Sequence, residues 1–363
     1  MSQQNLDLSK TVPDDPTTYD QWVEREGLPV FKGFSCPNLN DIQVHPWPRT
    51  GAKGVLLELE GTGDSNSSYV CEIPAGKAVN PERHLYEEVL YILKGRGATT
   101  VWYEGGPKVT FEWHEGSLFA IPPNAMHQHF NGQGDKPARF YAVTTAPLVM
   151  NLFHDQDFIF NNPFAFQSRF NGKEDFFSGE GKASPGRLWE TNFVADVRDF
   201  PLKEWKERGA GGRNIYFELG KGCLCSHISE FPVGTYKKAH RHMPGAHVII
   251  VAGQGYSLYW EKENDPYERI DWQPGSVMVP PNMIFHQHFN KGGSPARYMA
   301  IRWGSIRHPL MKSWSAYNID QSTKEGGNQI EYEDEDPYIR QLFETELAKN
   351  GVKCQMPAVN YRR

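Results

Sequence analysis

The sequence predicts an all-β protein made of two tandem copies of one domain, with short helices near its ends. At roughly 150 residues per domain, a chain of 363 residues is long enough for two domains, each with its own core. Its 34 glycines and 26 prolines favour many tight turns over a bundle of helices. Short runs of β-branched and aliphatic residues that end in glycine are typical of buried strands.

Matched segments in the same order indicate that the domain is duplicated. Residues 116–131 read GSLFAIPPNAMHQHFN and residues 275–290 read GSVMVPPNMIFHQHFN, and each segment is followed by a glycine-containing loop and by Pro-Ala-Arg plus an aromatic residue. Upstream, a Gly-x-Gly turn leads to a tryptophan in both 95–102 and 253–260. The offset is about 158 residues throughout, as expected for an internal repeat.

Each copy consists mainly of predicted strands. EEVLYILKG in the first copy and AHVIIVAGQ in the second predict a buried strand, and TTVWYEGG and YSLYWEKEND predict its partner after a tight turn. Many short strands at this spacing predict an antiparallel sandwich or barrel.

Helical patterns occur chiefly at the ends. Residues 17–27 place Tyr19, Trp22 and Val23 on one face and end at a glycine, and residues 336–351 begin with Asp-Pro and carry apolar side chains at helical spacing. The acidic run 331–336 is expected to be a solvated surface segment. The expected parts of the chain are an N-terminal arm with a short helix (1–50), a first domain (51–150), a Phe-rich interdomain segment (151–190), a second domain (191–315), and a C-terminal acidic segment with a helix (316–363).

Composition and charge exclude several classes of partner. The net charge is −6 and no long Lys/Arg run is present, which argues against binding to nucleic acid. The longest apolar run, 248–252, is far shorter than the roughly 20 residues that span a bilayer, and the N-terminal residues resemble no secretion signal. The five cysteines form no CxxC pair. We therefore expect a cytoplasmic protein with reduced thiols and no membrane partner.

A Phe-dense connection lies between the copies, with eight phenylalanines from Phe153 to Phe177. So apolar a segment must pack on something, either between the domains, across a dimer contact, or as a substrate lid. A homo-oligomer is the default expectation.

Motifs in both copies make the chain similar to the bicupins of the cupin superfamily. A cupin carries HxH, three or four residues and Glu in a first motif, and G(x)5PxG(x)2H(x)3N in a second. The residues that match the second motif are Gly116, Pro122, His127 and Asn131 in the first copy, and Gly275, Pro281, His286 and Asn290 in the second. The resemblance implies two tandem cupin domains, each a double-stranded β-helix or jelly roll.

The first motif differs between the copies. The second copy has the complete HxH as His240-Arg241-His242 but no following Glu, since Ala246 and His247 occupy that region. The first copy has Glu82 where the first His is expected, followed by His84 and Glu88.

The histidines of the second copy predict a metal site independently of the family. Alternate residues of a strand face the same side, so His240 and His242 are expected to point together into the barrel. His286 on a neighbouring strand completes a set of three imidazoles that leaves positions open for substrate or oxygen.

Further histidines are candidates for a supporting or catalytic role. His288 shares the strand parity of His286, as His129 shares that of His127, so His288 is expected to contact a ligand or substrate. His247 is a fourth ligand if a bulge at Pro244-Gly245 resets the strand, and otherwise a buried or pocket histidine.

The first copy leaves two alternatives open. Glu82, His84, Glu88 and His127 form a second candidate metal site with two imidazoles and two carboxylates. Equally, the two glutamates pair with arginines such as Arg83 or Arg96 in a domain that has lost its metal.

The charge of the second site bears on its chemistry. Three neutral imidazoles leave a divalent ion its full charge, which favours an anionic bidentate ligand, and iron can pass electrons from substrate to O₂. HRHMPGAHVIIVAG also resembles the motif of gentisate-type ring-cleaving dioxygenases, although Val248 stands where those enzymes carry Arg and the complete HxH lies in the C-terminal copy. Over its full length the chain resembles poorly characterised bacterial two-cupin proteins.

Arg302 is the candidate for binding a substrate carboxylate. It follows Pro-Ala-Arg in the second copy, and Thr144 stands at the same position in the first. If its strand face lines the barrel, the guanidinium can hold a carboxylate through two hydrogen bonds; otherwise Arg302 lies at a surface strand end.

These features predict an Fe(II)-dependent dioxygenase that cleaves an anionic substrate, an aromatic or enolisable acid. Two alternatives stay open. One is a Mn-, Ni- or Zn-dependent bicupin without O₂ chemistry, acting as an isomerase, decarboxylase or lyase. The other is a non-catalytic bicupin that binds a small molecule.

Overall fold

The computed structural model describes residues 15–262, 265–311 and 320–362. Its elements are mostly strands, and it confirms the predicted all-β class. The strands of the first half are β1 (Val30–Gly33), β2 (Ser35–Cys36), β3 (His45–Trp47), β4 (Ala52–Leu59), β5 (Ser67–Ile73), β6 (Glu88–Lys94), β7 (Arg96–Trp102), β8 (Val109–His114), β9 (Leu118–Ile121), β10 (Met126–Asn131) and β11 (Ala138–Thr144).

The strands of the second half repeat this series. They are β12 (Lys182–Ser184), β13 (Leu188–Thr191), β14 (Phe193–Val194), β15 (Lys203–Glu204), β16 (Arg213–Leu219), β17 (Leu224–Phe231), β18 (His247–Ala252), β19 (Gly255–Trp260), β20 (Glu268–Trp272), β21 (Val277–Met278), β22 (Phe285–Asn290) and β23 (Ala296–Trp303). The α-helices are α1 (Thr18–Glu26), α2 (Ala146–Phe153), α3 (Gln156–Asn161) and α4 (Pro337–Lys349).

Each domain is a sandwich of one large and one small sheet. In the first domain the large sheet runs β1-β4-β5-β11-β6-β9-β14, with β3 beside β4, and the small sheet runs β10-β7-β8. In the second domain the large sheet runs β12-β13-β16-β17-β23-β18-β21-β2, with β15 beside β16, and the small sheet runs β20-β19-β22. The predicted pair of tandem sandwiches is confirmed, and their strands pair antiparallel except for β1 with β4 and β13 with β16.

The two domains exchange strands and share a core. β2, from the N-terminal arm, pairs with β21 of the second domain, and β14 pairs with β9 of the first. Each exchange covers a sheet edge that would otherwise expose unpaired backbone groups. Buried side chains of both large sheets, among them Leu57, Val143, Phe217 and Ile301, form one apolar cluster between the domains.

The repeated Gly-x-Gly turn has a steric cause. A Cβ atom added at Gly97 would lie 2.0 Å from the carbonyl oxygen of Phe130, and one at Gly255 would lie 1.9 Å from that of Phe289. No side chain fits at either position, because the strand that follows the turn packs closely on its neighbour.

The terminal helices form as predicted. Thr17 caps α1 in a capping box with Asp20, and Gly27 ends it in a left-handed conformation at φ 65°. Asp336 caps α4, which buries Ile339, Phe343 and Leu347. None of the helices in the described ranges is long and apolar enough to cross a membrane.

The Phe-rich segment divides between core and surface. Phe170 and Phe177 pack in the core of the first domain, as expected for a segment this apolar. Phe153, Phe158 and Phe164 are exposed.

The expectation that residues 331–336 are solvated is wrong for Glu335, whose residue is only 6% exposed. The hydroxyl group of Tyr236 donates to one of its carboxyl oxygens, and Nε2 of Gln287 donates to the other over 3.1 Å. Tyr332 and the apolar side chains of α4 pack on the second domain, and Glu335, which lies between them in the chain, is buried as a result.

Replacing Glu335 with glutamine is expected to change how stability depends on pH. Burial raises the pKa of Glu335 from 4.5 to about 7, so the folded state holds its proton more tightly than the unfolded state does. The wild type should therefore lose up to about 3 kcal/mol of unfolding free energy, relative to Glu335→Gln, as the pH rises from 4.5 to about 7, with no further loss above.

Urea unfolding at a series of pH values measures this difference. Glu333→Gln, on the same acidic segment but less buried, is the control and should leave the pH profile unchanged. A difference between wild type and Glu335→Gln that is constant with pH would contradict the expected effect.

Candidate metal centres

Three histidines of the second domain meet beside its small sheet. His286 lies in β22, whereas His240 and His242 lie in the irregular segment between β17 and β18. The prediction that the HxH pair lies in a strand is therefore wrong, although His240 forms a single β-bridge with His286. One ring nitrogen of each histidine lies within 4.8 Å of the other two, so the segment still brings the imidazoles together.

Backbone carbonyls orient two of these rings. Nδ1 of His242 lies 2.7 Å from the carbonyl oxygen of Met243, and Nδ1 of His286 lies 3.1 Å from that of Ile284. A carbonyl oxygen only accepts, so each Nδ1 donates a proton and each Nε2 keeps its lone pair. Nδ1 of His240 is buried with no hydrogen-bond partner in the described part of the chain. The three rings thus have the donor atoms that a divalent metal ion needs.

The three imidazoles are neutral at physiological pH. Burial lowers the pKa values of His240 and His286 well below 6.5. Burial, followed by the charge of Arg302, lowers the pKa of His242 to about 4. Since only a neutral imidazole binds a metal ion, the site is in its binding form without loss of a proton.

A small cavity adjoins these rings. It has a volume of about 20 Å³, which is room for about one water molecule. It is lined by Trp205, Arg208, Tyr216, His227, His240, His242, Ala246, Val248, His286, His288, Tyr298, Ala300 and Arg302.

Arg302 lies in the cavity wall and not at a surface strand end. It is on β23 and only 5% exposed. Nε donates to Nδ1 of His227 over 3.3 Å, and Nη1 donates to the carbonyl oxygen of Trp303 over 3.3 Å. Nη2 is buried and has no hydrogen-bond partner within the described ranges, so the guanidinium keeps a donor for a ligand.

His288 supplies a second polar group to the cavity. Nε1 of Trp272 donates to Oγ of Ser257, which lies 2.6 Å from Nδ1 of His288. The hydroxyl proton of Ser257 can go to Sδ of Met278, 3.5 Å away, or to Nδ1 of His288. Because a thioether is a weak acceptor, donation to Nδ1 is favoured, which leaves the proton of the ring on Nε2. Burial lowers the pKa of His288 to about 3, so the ring is neutral. In the first domain Trp113, Thr99 and His129 repeat this chain of contacts.

His247 is not positioned as a fourth ligand, which corrects that expectation. In the first domain Val89 pairs with Val143, and in the second His247 pairs with Ile301, so the equivalent of Glu88 is Ala246. Ala246 lines the cavity, and the next residue faces the other side of the sheet.

The ring of His247 instead joins the two domains. The hydroxyl group of Tyr141 lies 2.7 Å from its Nδ1, and Oδ1 of Asn66 lies 3.2 Å from its Nε2. Asn66 Oδ1 can only accept, so Nε2 carries the proton and Nδ1 accepts from Tyr141. With both nitrogens engaged, this side chain is also removed from the catalytic candidates.

The first domain holds a second group of candidate ligands. Atoms of His84, Glu88 and His127 lie within 4.8 Å of one another. Nε2 of His84 is 3.3 Å from Oε2 of Glu88, and Nε2 of His127 is 3.7 Å from the same oxygen. Nδ1 of His84 donates to the carbonyl oxygen of Tyr86 and Nδ1 of His127 to that of Ala125, as in the second domain.

The two glutamates near this group do not form the ion pairs with Arg83 or Arg96 that the sequence left open. Glu82 lies 3.8 Å from Nε2 of His127 but forms its ion pair with Arg49, and neither Arg83 nor Arg96 is its partner. Glu88 binds no arginine among the described residues. Burial alone would raise the pKa of Glu88, but the hydrogen bond and charge of His84 outweigh this and lower it to about 2.

The sequence arguments missed several cavity residues, among them Trp205, His227 and the charged Arg208. Arg208 is 1% exposed and lies in a short 3-10 helix, Lys206–Arg208, before β16. A sequence pattern could have indicated Arg208. Trp47-Pro48-Arg49 in the first copy matches Trp205-Lys206-Glu207-Arg208 in the second, but one inserted residue shifts the arginine out of the register of the repeat.

Comparisons with known proteins agree with this architecture. The cupin domain family matches residues 69–144, which run from β5 to the end of β11. No curated protein matches the sequence. Solved structures of Bacillus subtilis oxalate decarboxylase are similar to this chain, among them two variants and one structure studied for its Mn(II) centres. Each is 15% identical, has a TM-score of 0.50, and matches over 74% of this chain and 77% of its own.

A likeness at this identity establishes the fold alone. Residues 69–144 match the cupin domain family, and the second domain repeats the sheets of the first and places a second group of candidate metal ligands beside its small sheet. The chain therefore has the fold of two tandem cupin domains.

Proposed function

We propose that this bicupin is a metal-dependent enzyme whose working centre is formed by His240, His242 and His286, and that it oxidises a small enolisable carboxylic acid as a non-haem Fe(II) dioxygenase. The main support is that three neutral imidazoles lie within 4.8 Å of one another beside a cavity with a free guanidinium donor on Arg302. Three protein ligands leave coordination positions for substrate and oxygen.

The residues of the chain fit the metal ion. One ring nitrogen of His240 and the free Nε2 atoms of His242 and His286 supply three nitrogen donors. Iron bound there would supply electrons for O₂ chemistry, whereas Mn, Ni or Zn would act as a Lewis acid.

The cavity residues bind and orient the substrate. Nη2 of Arg302 donates to a carboxylate oxygen, and the protonated Nε2 of His288 donates a second hydrogen bond. Val248 and Ala300 give the cavity an apolar wall that excludes water and strengthens these interactions.

The cavity must widen to admit any substrate, and a compact aliphatic acid requires less widening than an aromatic one. Its volume of about 20 Å³ holds about one water molecule, whereas a benzene ring needs roughly 150 Å³.

A reaction without O₂ is the second candidate. Arg208 and Arg302 both line the cavity, and their charges would stabilise the negative charge that remains on carbon after a substrate loses CO₂. A decarboxylase, isomerase or lyase would use the same residues.

The first domain supplies a further proposed metal site, formed by His84, Glu88 and His127. Glu82 is held by Arg49 and supports the site from outside. Compared with the three-histidine group of the second domain, this group has a carboxylate in place of one imidazole. The negative carboxylate would reduce the net charge of a bound metal ion, and with it the ability of the ion to activate a substrate.

Oxygen uptake and CO₂ release, measured with a panel of small keto and hydroxy acids, test the reaction. The protein is purified without oxygen or chelators and loaded with iron. Substrate-dependent oxygen uptake supports the dioxygenase, and CO₂ release without oxygen uptake supports the second candidate. Binding without turnover of any acid would contradict an enzymatic role. His114→Ala, at an exposed position, is the control variant.

A further inference from the structure

We propose that Arg208 forms a second anion-binding position in the cavity, so that the ligand of the second domain is a compact dicarboxylate held at both ends. This inference rests on the proposed function and deepens it, because it names the class of substrate and a residue that selects it.

Arg208 is buried with only one of its guanidinium nitrogens paired. It is 1% exposed, and its guanidinium lies over the ring of Trp205 at 4.8 Å. Nη2 forms an ion pair with Oδ1 of Asp320 over 2.9 Å. Nε and Nη1 are buried and have no hydrogen-bond partner in the described part of the chain. Asp320 also accepts from Trp205 and lies 3.7 Å from Arg187, so it is shared.

The first domain contains the same arginine in a satisfied form. Arg49 lies over Trp47 at 4.8 Å, as Arg208 lies over Trp205. Arg49 forms ion pairs with Glu26 and Glu82. The sequence equivalent of Glu82 in the second domain is His240. The second domain has therefore kept the arginine and lost its carboxylate.

Two other differences between the domains also make the second cavity more positively charged than the first site. Ala246 stands at the position of Glu88, and Arg302 at the position of Thr144. The first site thus combines two carboxylates with one arginine. The second cavity is lined by two arginines, and among the described residues only Arg208 has a carboxylate partner, Asp320. A metal ion would add further positive charge. Buried charges of one sign are costly unless a counter-ion is bound, and a dianion supplies it.

The two arginines reach the cavity from different elements. Arg302 lies in β23, and Arg208 lies in the short 3-10 helix that precedes β16. Their separate positions suit two carboxylates of one molecule better than a single carboxylate held by both.

Calorimetric titration of zinc-loaded protein tests the proposal without turnover, with malonate and acetate as the ligands. Wild type should bind malonate at least about tenfold more tightly than acetate. Arg208→Gln should weaken malonate binding by roughly tenfold to hundredfold and acetate binding by less than about threefold. Arg187→Gln is the matched control, because Arg187 also stacks on Trp205 at 4.8 Å but does not line the cavity.

The outcomes separate this inference from the proposed function. Metal content is measured on the same samples, and absence of metal from His240, His242 and His286 would overturn both. Bound metal with equal losses of malonate and acetate affinity, or with no loss in Arg208→Gln, would overturn the dicarboxylate proposal alone. If Arg208→Gln does not fold, Arg208→Lys keeps the charge without the planar fork and should show a smaller, still malonate-selective loss.

Discussion

Replacing His286 with alanine is expected to remove the metal ion of the second domain and to reduce turnover by more than about a hundredfold. His286 lies between the other two candidate ligands, with ring centroids 4.2 Å from His240 and 4.7 Å from His242. Two imidazoles 5.6 Å apart would remain, which is too few donors for tight binding. Elemental analysis and steady-state kinetics on the same preparation measure both effects.

His127→Ala is the matched control for this prediction. His127 occupies the equivalent position in the first domain, with the same Nδ1 contact to a backbone carbonyl two residues earlier. This variant should keep the metal of the second domain and most of the activity. Full activity in His286→Ala, or its loss in His127→Ala alone, would move the reaction centre to the first domain.

Replacing Arg302 with glutamine is expected to lower kcat/KM by about a hundredfold or more, chiefly through KM. Its free Nη2 is the donor proposed for the substrate carboxylate. Arg302 has no carboxylate partner among the described residues, so removal of its charge leaves no unpaired anion, and the loss of stability should be limited to its hydrogen bonds with His227 and Trp303. Kinetics over a range of substrate concentrations separate the effects on KM and kcat.

Arg297→Gln serves as the control on the same strand. Arg297 forms an ion pair with Glu230 over 2.9 Å and does not line the cavity. Its replacement should affect stability and leave KM unchanged. An unchanged KM in Arg302→Gln would contradict the role of Arg302 in substrate binding.

The repeated motifs made much of the site predictable. His127 and His286 follow from motifs that match in residue type and spacing, and the sheets fix their positions through strand pairing. The terminal helices α1 and α4 were also predictable, since their caps at Thr17 and Asp336 are local in sequence, whereas α2 and α3 were not predicted. The metal and the reaction were not, because one fold hosts many chemistries.

The errors arose where non-local contacts decide the structure. His247 was placed by assuming a bulge, whereas the regular pairing with β23 turns it toward Tyr141. Glu335 is buried because α4 packs over the second domain, which no local pattern indicates. The sequence does not reveal the role proposed for Arg208, because its unpaired Nε and Nη1 atoms become visible only in the folded structure, beside the Arg49–Glu82 pair.

The most direct test of the central claim is anomalous X-ray diffraction from crystals of the metal-loaded protein, recorded at the absorption edge of the metal. The account predicts a peak about 2.0–2.3 Å from one nitrogen each of His240, His242 and His286. A peak in the first domain alone, or none at these histidines in fully loaded protein, would contradict it.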